Sequence, residues 1–202
     1  MPIKLQRCIG NYGASNQLNV YFGAFCRMRP FPHRFGLRDR VSTAKKETMS
    51  NLDEVLTIAH HRGRDTNLPY AGAVTPAEAY QLVLEHPQAI LVDVRTNAER
   101  DWIGKVAIPE VKHAAVQWNF YPGPQPNQDF IKQLKAVADT DSILLFLCRS
   151  AVRSHHAAKL ATESGYHHCF NILEGFEGDR DAAGHRKTIG GWCQAGLPWI
   201  GA

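Results

Sequence analysis

The chain has 202 residues, 44% of them apolar and 21% charged, with a formal net charge of +4. That is enough for one α/β domain with a packed core and some additional chain. No apolar run approaches the ~20 residues that span a bilayer. The five cysteines (Cys8, Cys26, Cys148, Cys169 and Cys193) include no C-x-x-C pair, which argues against a disulfide scaffold, a zinc ribbon and a thioredoxin-type dithiol.

The charge is unevenly spread. Residues 1–46 hold nine basic residues and one acid, for +8, while the remainder holds fourteen basic and eighteen acidic, for −4. The globular part is mildly acidic, so neither nucleic acid nor a membrane is expected as a partner. Residues 1–48 are Arg-rich and lack a sustained helical or strand period. They read as a disordered or artefactual extension. Organelle import is the lesser alternative, because an amphipathic, Ser-rich pattern is missing. The folded domain is expected over 49–202, in a cytoplasmic protein.

In chain order, Asn51 to His61 predicts a short helix with Leu52, Val55, Leu56 and Ile58 on its apolar face. Ala73-Val74 predicts a first strand. Thr75-Pro76 supplies an N-cap and a proline at the first helical position of a helix running to Glu85. Ala89 to Val94 is a near-continuous apolar strand. A brief helix over Asn97–Trp102 and a strand over His113–Gln117 follow. Asn119 to Asn127, with three prolines, predicts a loop. Gln128 to Ala138 is an amphipathic helix, Ser142 to Leu147 a central strand, Ser154 to Ser164 a helix capped by Ser154, His168 to Ile172 a strand, and Ile189 to Ala195 a short last helix. Five strands alternating with helices imply a parallel sheet with helices on both faces. Ligands bind such sheets at the carboxyl ends of the strands.

One of those ends carries Cys148-Arg149-Ser150-Ala151-Val152-Arg153-Ser154. A lone cysteine ending a strand is ordinarily inert core. Two guanidinium groups and two hydroxyls within six positions are not what a core cysteine needs. Loop amides and a helix start behind the thiol favour negative charge, so Cys148 is expected to be a thiolate nucleophile that tolerates an anionic substrate.

The same stretch resembles the active-site loop of rhodanese domains, C-R-[ST]-G-x-R-S. Leu91-Val-Asp93-Val-Arg95-Thr-Asn-Ala-Glu99 is similar to that family's L-[IV]-D-V-R-x-x-x-E. Asn171-Ile-Leu-Glu174-Gly175-Phe and Gly191-Trp192 to Gly196-Leu197-Pro198 are similar to its closing segments. The resemblance covers Thr75 to the C-terminus and implies a single rhodanese-like domain with a five-stranded parallel sheet. It departs from the family at Ala151, where glycine is usual. Alanine fits there if φ is negative and is costly otherwise. It departs again after Gly104, where the segment to Ala114 is longer than usual.

The resemblance implies a sulfurtransferase that carries sulfane sulfur on Cys148, from a donor such as thiosulfate to cyanide or a thiol. Arg149, Ser150, Ala151, Val152, Arg153 and Ser154 would form the cradle, with Arg149 and Arg153 holding the donor's oxyanion. A protein acceptor of the sulfur is compatible with the same chemistry. No metal or organic cofactor is expected. Asp93 reads as a loop-anchoring carboxylate and Arg95 as the i, i+4 partner of Glu99. The pairs His155-His156 and His167-His168 do not converge on a metal site, because adjacent residues diverge on a helix or strand. Two alternatives stand beside this reading. A cysteine phosphatase or arsenate reductase uses C-x5-R, whereas Arg153 lies only five positions after Cys148. A sulfur carrier or regulatory binding module is the other.

Overall fold

The computed structural model describes the backbone of residues 37–201 and the side chains of residues 51–201. In chain order the elements are α1 (Leu37–Asp65), β1 (Gly72–Val74), α2 (Pro76–Glu85), β2 (Ala89–Asp93), α3 (Asn97–Ile103), β3 (Lys105–Val106), β4 (His113–Ala115), β5 (Asn119–Phe120), β6 (Gln125–Pro126), α4 (Phe130–Lys135), β7 (Ile143–Leu147), α5 (Val152–Glu163), β8 (His168–Ile172), α6 (Gly191–Gln194) and β9 (Trp199–Ile200). The helix expected over Asn51–His61 lies inside α1, whose backbone passes through residue 49. Of the extension expected over residues 1–48, residues 1–36 lie outside the described residues and the backbone of 37–48 is part of α1.

Five strands form one parallel sheet in the order β1-β8-β7-β2-β4. All five residues of β7 are buried, as a central strand covered on both faces requires. Its alternation divides the core. Leu144 and Phe146 pack with Phe130 and Leu134 of α4 and Ala157, Ala158 and Ala161 of α5. Ile143, Leu145 and Leu147 pack with Leu52, Val55 and Ala59 of α1, Leu82 and Val83 of α2, and Trp192 of α6. The three alanines of α5 let that helix lie close to the sheet.

Local chemistry sets the helix starts. Thr75 caps α2 in a capping box with Glu78, and Pro76 opens the helix. Arg62 of α1 clasps Glu78 through two hydrogen bonds of 2.6 and 2.8 Å, tying the two helices together.

Two features depart from the sequence reading. The segment 119–127 is not all loop, because β5 and β6 pair as a small antiparallel hairpin, with Asn119 opposite Pro126 and Phe120 opposite Gln125. Pro126 fits there because an outer strand has no ladder bond to lose from its nitrogen. The lengthened segment after Gly104 forms β3, which pairs antiparallel with β9 near the C-terminus.

Candidate active site

Cys148 directly follows β7 at the carboxyl end of the central strand. It is 1% exposed. The Ser154 hydroxyl donates to its Sγ at 3.2 Å, and Ser154 itself is fully buried. The sequence reading made Ser154 an N-cap. The helix instead begins at Val152, with Ala151 as the cap residue and no side-chain capping bond. Ala151 takes φ +65° and ψ −4°, the left-handed region, so the costly branch of the alanine expectation applies. That turn moves the cap three residues back, from Ser154 to Ala151, and leaves the Ser154 hydroxyl free to meet the sulfur.

The loop is held from behind. Phe176 N donates to Cys148 O at 2.8 Å and Glu177 N to Arg149 O at 2.9 Å. Asn171 Nδ2 donates to Ala151 O at 3.2 Å. Gly175, at φ +69°, sits so close that a Cβ there would stand 2.6 Å from Cys148 O and 2.7 Å from Arg149 O. Only glycine fits this contact. The amides of residues 149 to 154, by contrast, donate to no acceptor among the described residues. Six successive N–H groups beside a buried thiol, three of them in the first turn of a twelve-residue helix, make a ready setting for negative charge.

The two arginines of the loop differ in their partners. Arg153 forms two hydrogen bonds to Glu99, of 2.7 and 2.6 Å. Burial opposes ionisation of Glu99, but the Arg153 guanidinium and the Thr96 amide outweigh it and hold its carboxyl at about 2. Glu99 also completes a capping box with Thr96 at the start of α3. Arg149 is exposed and has no hydrogen-bond or ion-pair partner among the described residues.

The expected Arg95–Glu99 pair does not form. Arg95 precedes α3, so helical i, i+4 spacing does not apply to it. Its guanidinium instead binds the Asp93 carboxylate, with Nη2 2.7 Å from Oδ2, and both side chains are fully buried. Burial resists the Asp93 charge, yet Arg95 keeps its carboxyl below the usual range. The guanidinium also stacks on Phe176, 4.0 Å from the ring centroid, which compensates an Nη1 that lacks an acceptor. Asp93 also accepts from the Arg95 amide at 3.0 Å.

A cavity of about 290 Å³ opens over the loop, lined by Thr96, Glu99, Asn119, Tyr121, Arg149 and Arg153 among others. Asn119 and Tyr121 come from the hairpin segment, and Tyr121 meets the exposed Trp102 edge to face at 5.5 Å. Sequence reasoning gave no role to Asn119, Thr96, Asn171 or Phe176. The Thr96-x-x-Glu99 capping signature was the available signal for two of the groups involved. Trp192 is core and Trp118 packs on Phe130. Of the other thiols, Cys169 is buried in β8 and burial pushes it up to about 11; burial also raises Cys193.

The sequence pattern of the STR4 middle domain matches residues 71–202. Over 125 residues the chain is 30% identical to the thiosulfate sulfurtransferase GlpE of Haemophilus influenzae, covering 62% of this chain and 90% of that protein. The chain belongs to the rhodanese-like domain family. The rhodanese-like part is 34% identical over 132 residues to an uncharacterized protein of Rickettsia conorii, covering 62% of this chain and 94% of that one. The crystal structure of Rv0390 from M. tuberculosis superposes with a TM-score of 0.60 at 38% identity, over 66% of this chain and 99% of that chain. Rhodanese-like membership supports sulfurtransferase or a related activity in general, and the rhodanese-like fold accounts for the five-stranded parallel sheet with its cysteine loop.

Proposed function

We propose that the protein is a sulfurtransferase that takes the outer sulfur of thiosulfate onto Cys148 and passes it to cyanide or a thiol, a protein thiol included. The observation that carries this reading is the buried Cys148 thiol followed by six amides that have no acceptor among the described residues, with Arg149, likewise without a partner among them, lining the cavity above.

The Cys148 thiolate attacks the outer sulfur of thiosulfate. A new S–S bond forms, the sulfur–sulfur bond of the donor breaks, and sulfite leaves with the electron pair. The persulfide anion left on Cys148 rests among the amides of 149–154 and the Ser154 hydroxyl, which stabilise its charge in a water-poor setting. An acceptor nucleophile then attacks the terminal sulfur, and Cys148 departs as thiolate. Because Arg153 is engaged by Glu99, the donor's oxyanion falls to Arg149, with Arg153 bracing the loop. A covalent intermediate between two substrates gives ping-pong kinetics.

Intact mass after incubation with thiosulfate tests this. A gain of about 32 Da, lost on adding cyanide and absent in Cys148→Ser, is the expected result. An unchanged mass, or the same gain in the Ser variant, overturns the assignment of Cys148.

A further inference from the structure

Leu147 and Cys148 carry the backbone at the nucleophile, and a different segment holds each of their carbonyls. Val94, just past the end of β2, donates from its amide to Leu147 O at 2.8 Å, and Phe176, beyond β8, donates to Cys148 O at 2.8 Å. The two holding segments are joined to each other. The guanidinium of Arg95, the residue after Val94, lies over the Phe176 ring, with Cζ 4.0 Å from the centroid. Val94, Leu147, Cys148, Phe176 and Arg95 therefore make a closed circuit. Two backbone hydrogen bonds and one cation–π contact complete it, and the covalent chain supplies the rest.

The parts of the circuit are themselves fixed. The Asp93 carboxylate accepts from the Arg95 amide, from Nε at 3.0 and 3.1 Å and from Nη2 at 2.7 Å. A fork held at this many points has little freedom to turn. Phe176 is fully buried, and its carbonyl accepts from the Cys193 amide at 3.1 Å. Lys187 Nζ and the Trp199 ring also approach the Phe176 ring, each at 5.9 Å, but Arg95 is the nearest charge. The plainer account is that the Phe176 ring only fills the core shared by α1, α2 and α6. That account leaves the ion pair unexplained, because a fully buried pair returns little net stability against the desolvation of both groups.

We infer that Arg95 is a positioning residue for Cys148 and acts through Phe176. Asp93 sets the guanidinium, the guanidinium sets the Phe176 ring, and the Phe176 amide sets the Cys148 carbonyl. The position of Sγ follows. Ser154 reaches Sγ over 3.2 Å, and a small displacement of the sulfur weakens such a bond steeply. As a statement about turnover the inference rests on the sulfur-transfer reading; as a statement about the reactivity of the thiol it does not.

Phe176→Leu keeps the backbone amide and the apolar bulk but removes the face that meets the cation. The rate of Cys148 alkylation by iodoacetamide at neutral pH, followed by peptide mass, should fall about fivefold, a size usual for residues coupled by direct contact. Arg95→Lys keeps the charge without the planar fork and should slow the reaction by a similar factor. The double variant should be no slower than either single one, because both changes break the same link. Val83→Ala, on α2 in the same core cluster, should lower the urea midpoint and leave the alkylation rate unchanged. In turnover of thiosulfate with cyanide, Phe176→Leu should lower kcat with little change in KM, since Arg149 is untouched. An unchanged alkylation rate in Phe176→Leu, an equal slowing in Val83→Ala, or multiplying effects in the double variant overturns the inference. If Arg95→Lys does not fold, the comparison of Phe176→Leu with Val83→Ala decides alone. A wild type that alkylates as expected but takes up no sulfur from thiosulfate overturns the sulfur-transfer reading instead.

Discussion

Glu99 and Arg153 are joined by two hydrogen bonds, 2.7 and 2.6 Å long, across 54 positions of sequence. The pair ties the first turn of α3 to the first turn of α5, and so ties the strand-end segment after β2 to the cysteine loop after β7. Both side chains are about one-fifth exposed, which places the pair between a solvated surface bridge and a desolvated one.

Replacing Glu99 by Gln should lower stability by about 1–2 kcal/mol at neutral pH, the effect of losing a charge-assisted bidentate pair at a partly buried position. The pH dependence has a definite sign. Glu99 is held at about 2 in the folded chain, against an ordinary value of 4.5. Its contribution is therefore complete above the ordinary value and is lost as pH falls towards the folded one. Denaturant unfolding of wild type and variant should differ by a constant amount above about pH 5.5 and converge on acidification. A gap that stays constant down to pH 2.5 (about one pH unit is resolvable this way) contradicts the role given to Glu99.

Ala151→Gly should stabilise the protein. Relief of the left-handed strain at φ +65° is worth about 1–2 kcal/mol, partly offset by about 0.4–1 kcal/mol of unfolded-state entropy. The net gain is expected near 0.5–1 kcal/mol, with sulfur uptake by Cys148 retained. Ala151→Val should lose about 1–3 kcal/mol, because a β-branched residue tolerates that conformation least. Midpoints of urea unfolding for the three proteins rank the outcome.

Ser154→Ala removes the only side-chain hydrogen bond to Cys148 Sγ among the described residues. The rate of Cys148 alkylation by iodoacetamide at neutral pH should fall about tenfold, since hydrogen bonds to a charged group contribute about 1.5–3 kcal/mol. The fold should be unaffected, as Ala occupies less space in a helix that already packs three alanines. Equal alkylation rates in both proteins would sink the hydroxyl's role.

Arg149→Ala tests which arginine meets the donor. The KM for thiosulfate should rise about tenfold with a smaller change in kcat, the signature of a lost binding contact rather than a lost transition-state contact. Arg149→Lys should recover part of the loss. A variant with unchanged KM reassigns the oxyanion to Arg153.

Much of this architecture was legible in the chain. The five strands announce themselves because a central parallel sheet needs near-continuous apolar runs, and 143–147 and 89–93 have them. Thr75-Pro76 marks the start of α2 by local chemistry alone. What stayed hidden depends on contacts distant in sequence. β3 and β9 have two residues each and exist only by pairing with one another. The start of α5 was misplaced because Ser154 has the better capping propensity, whereas Asn171, Phe176 and Glu177 hold the loop in the turn that begins the helix at Val152. Arg95 was paired with Glu99 by helical spacing, but it stands before the helix and binds Asp93 two residues away. The cysteine and its neighbours were readable from composition and order; which of the two arginines is paired was not, since it turns on where Glu99 lies in space.

The three bonds that hold the loop from behind also set its other side. A trans peptide is a plane in which the carbonyl and the following N–H point in opposite directions. Fixing Cys148 O on the Phe176 amide therefore turns the Arg149 N–H away from Phe176. Fixing Arg149 O on Glu177 does the same for the Ser150 N–H, and Asn171 on Ala151 O does it for the Val152 N–H. Phe176, Glu177 and Asn171 thus aim three dipoles without touching whatever those dipoles meet. The segment 171–177 is a sighting frame for the loop, and a change there alters the charge environment of the sulfur with every residue of the loop still in place.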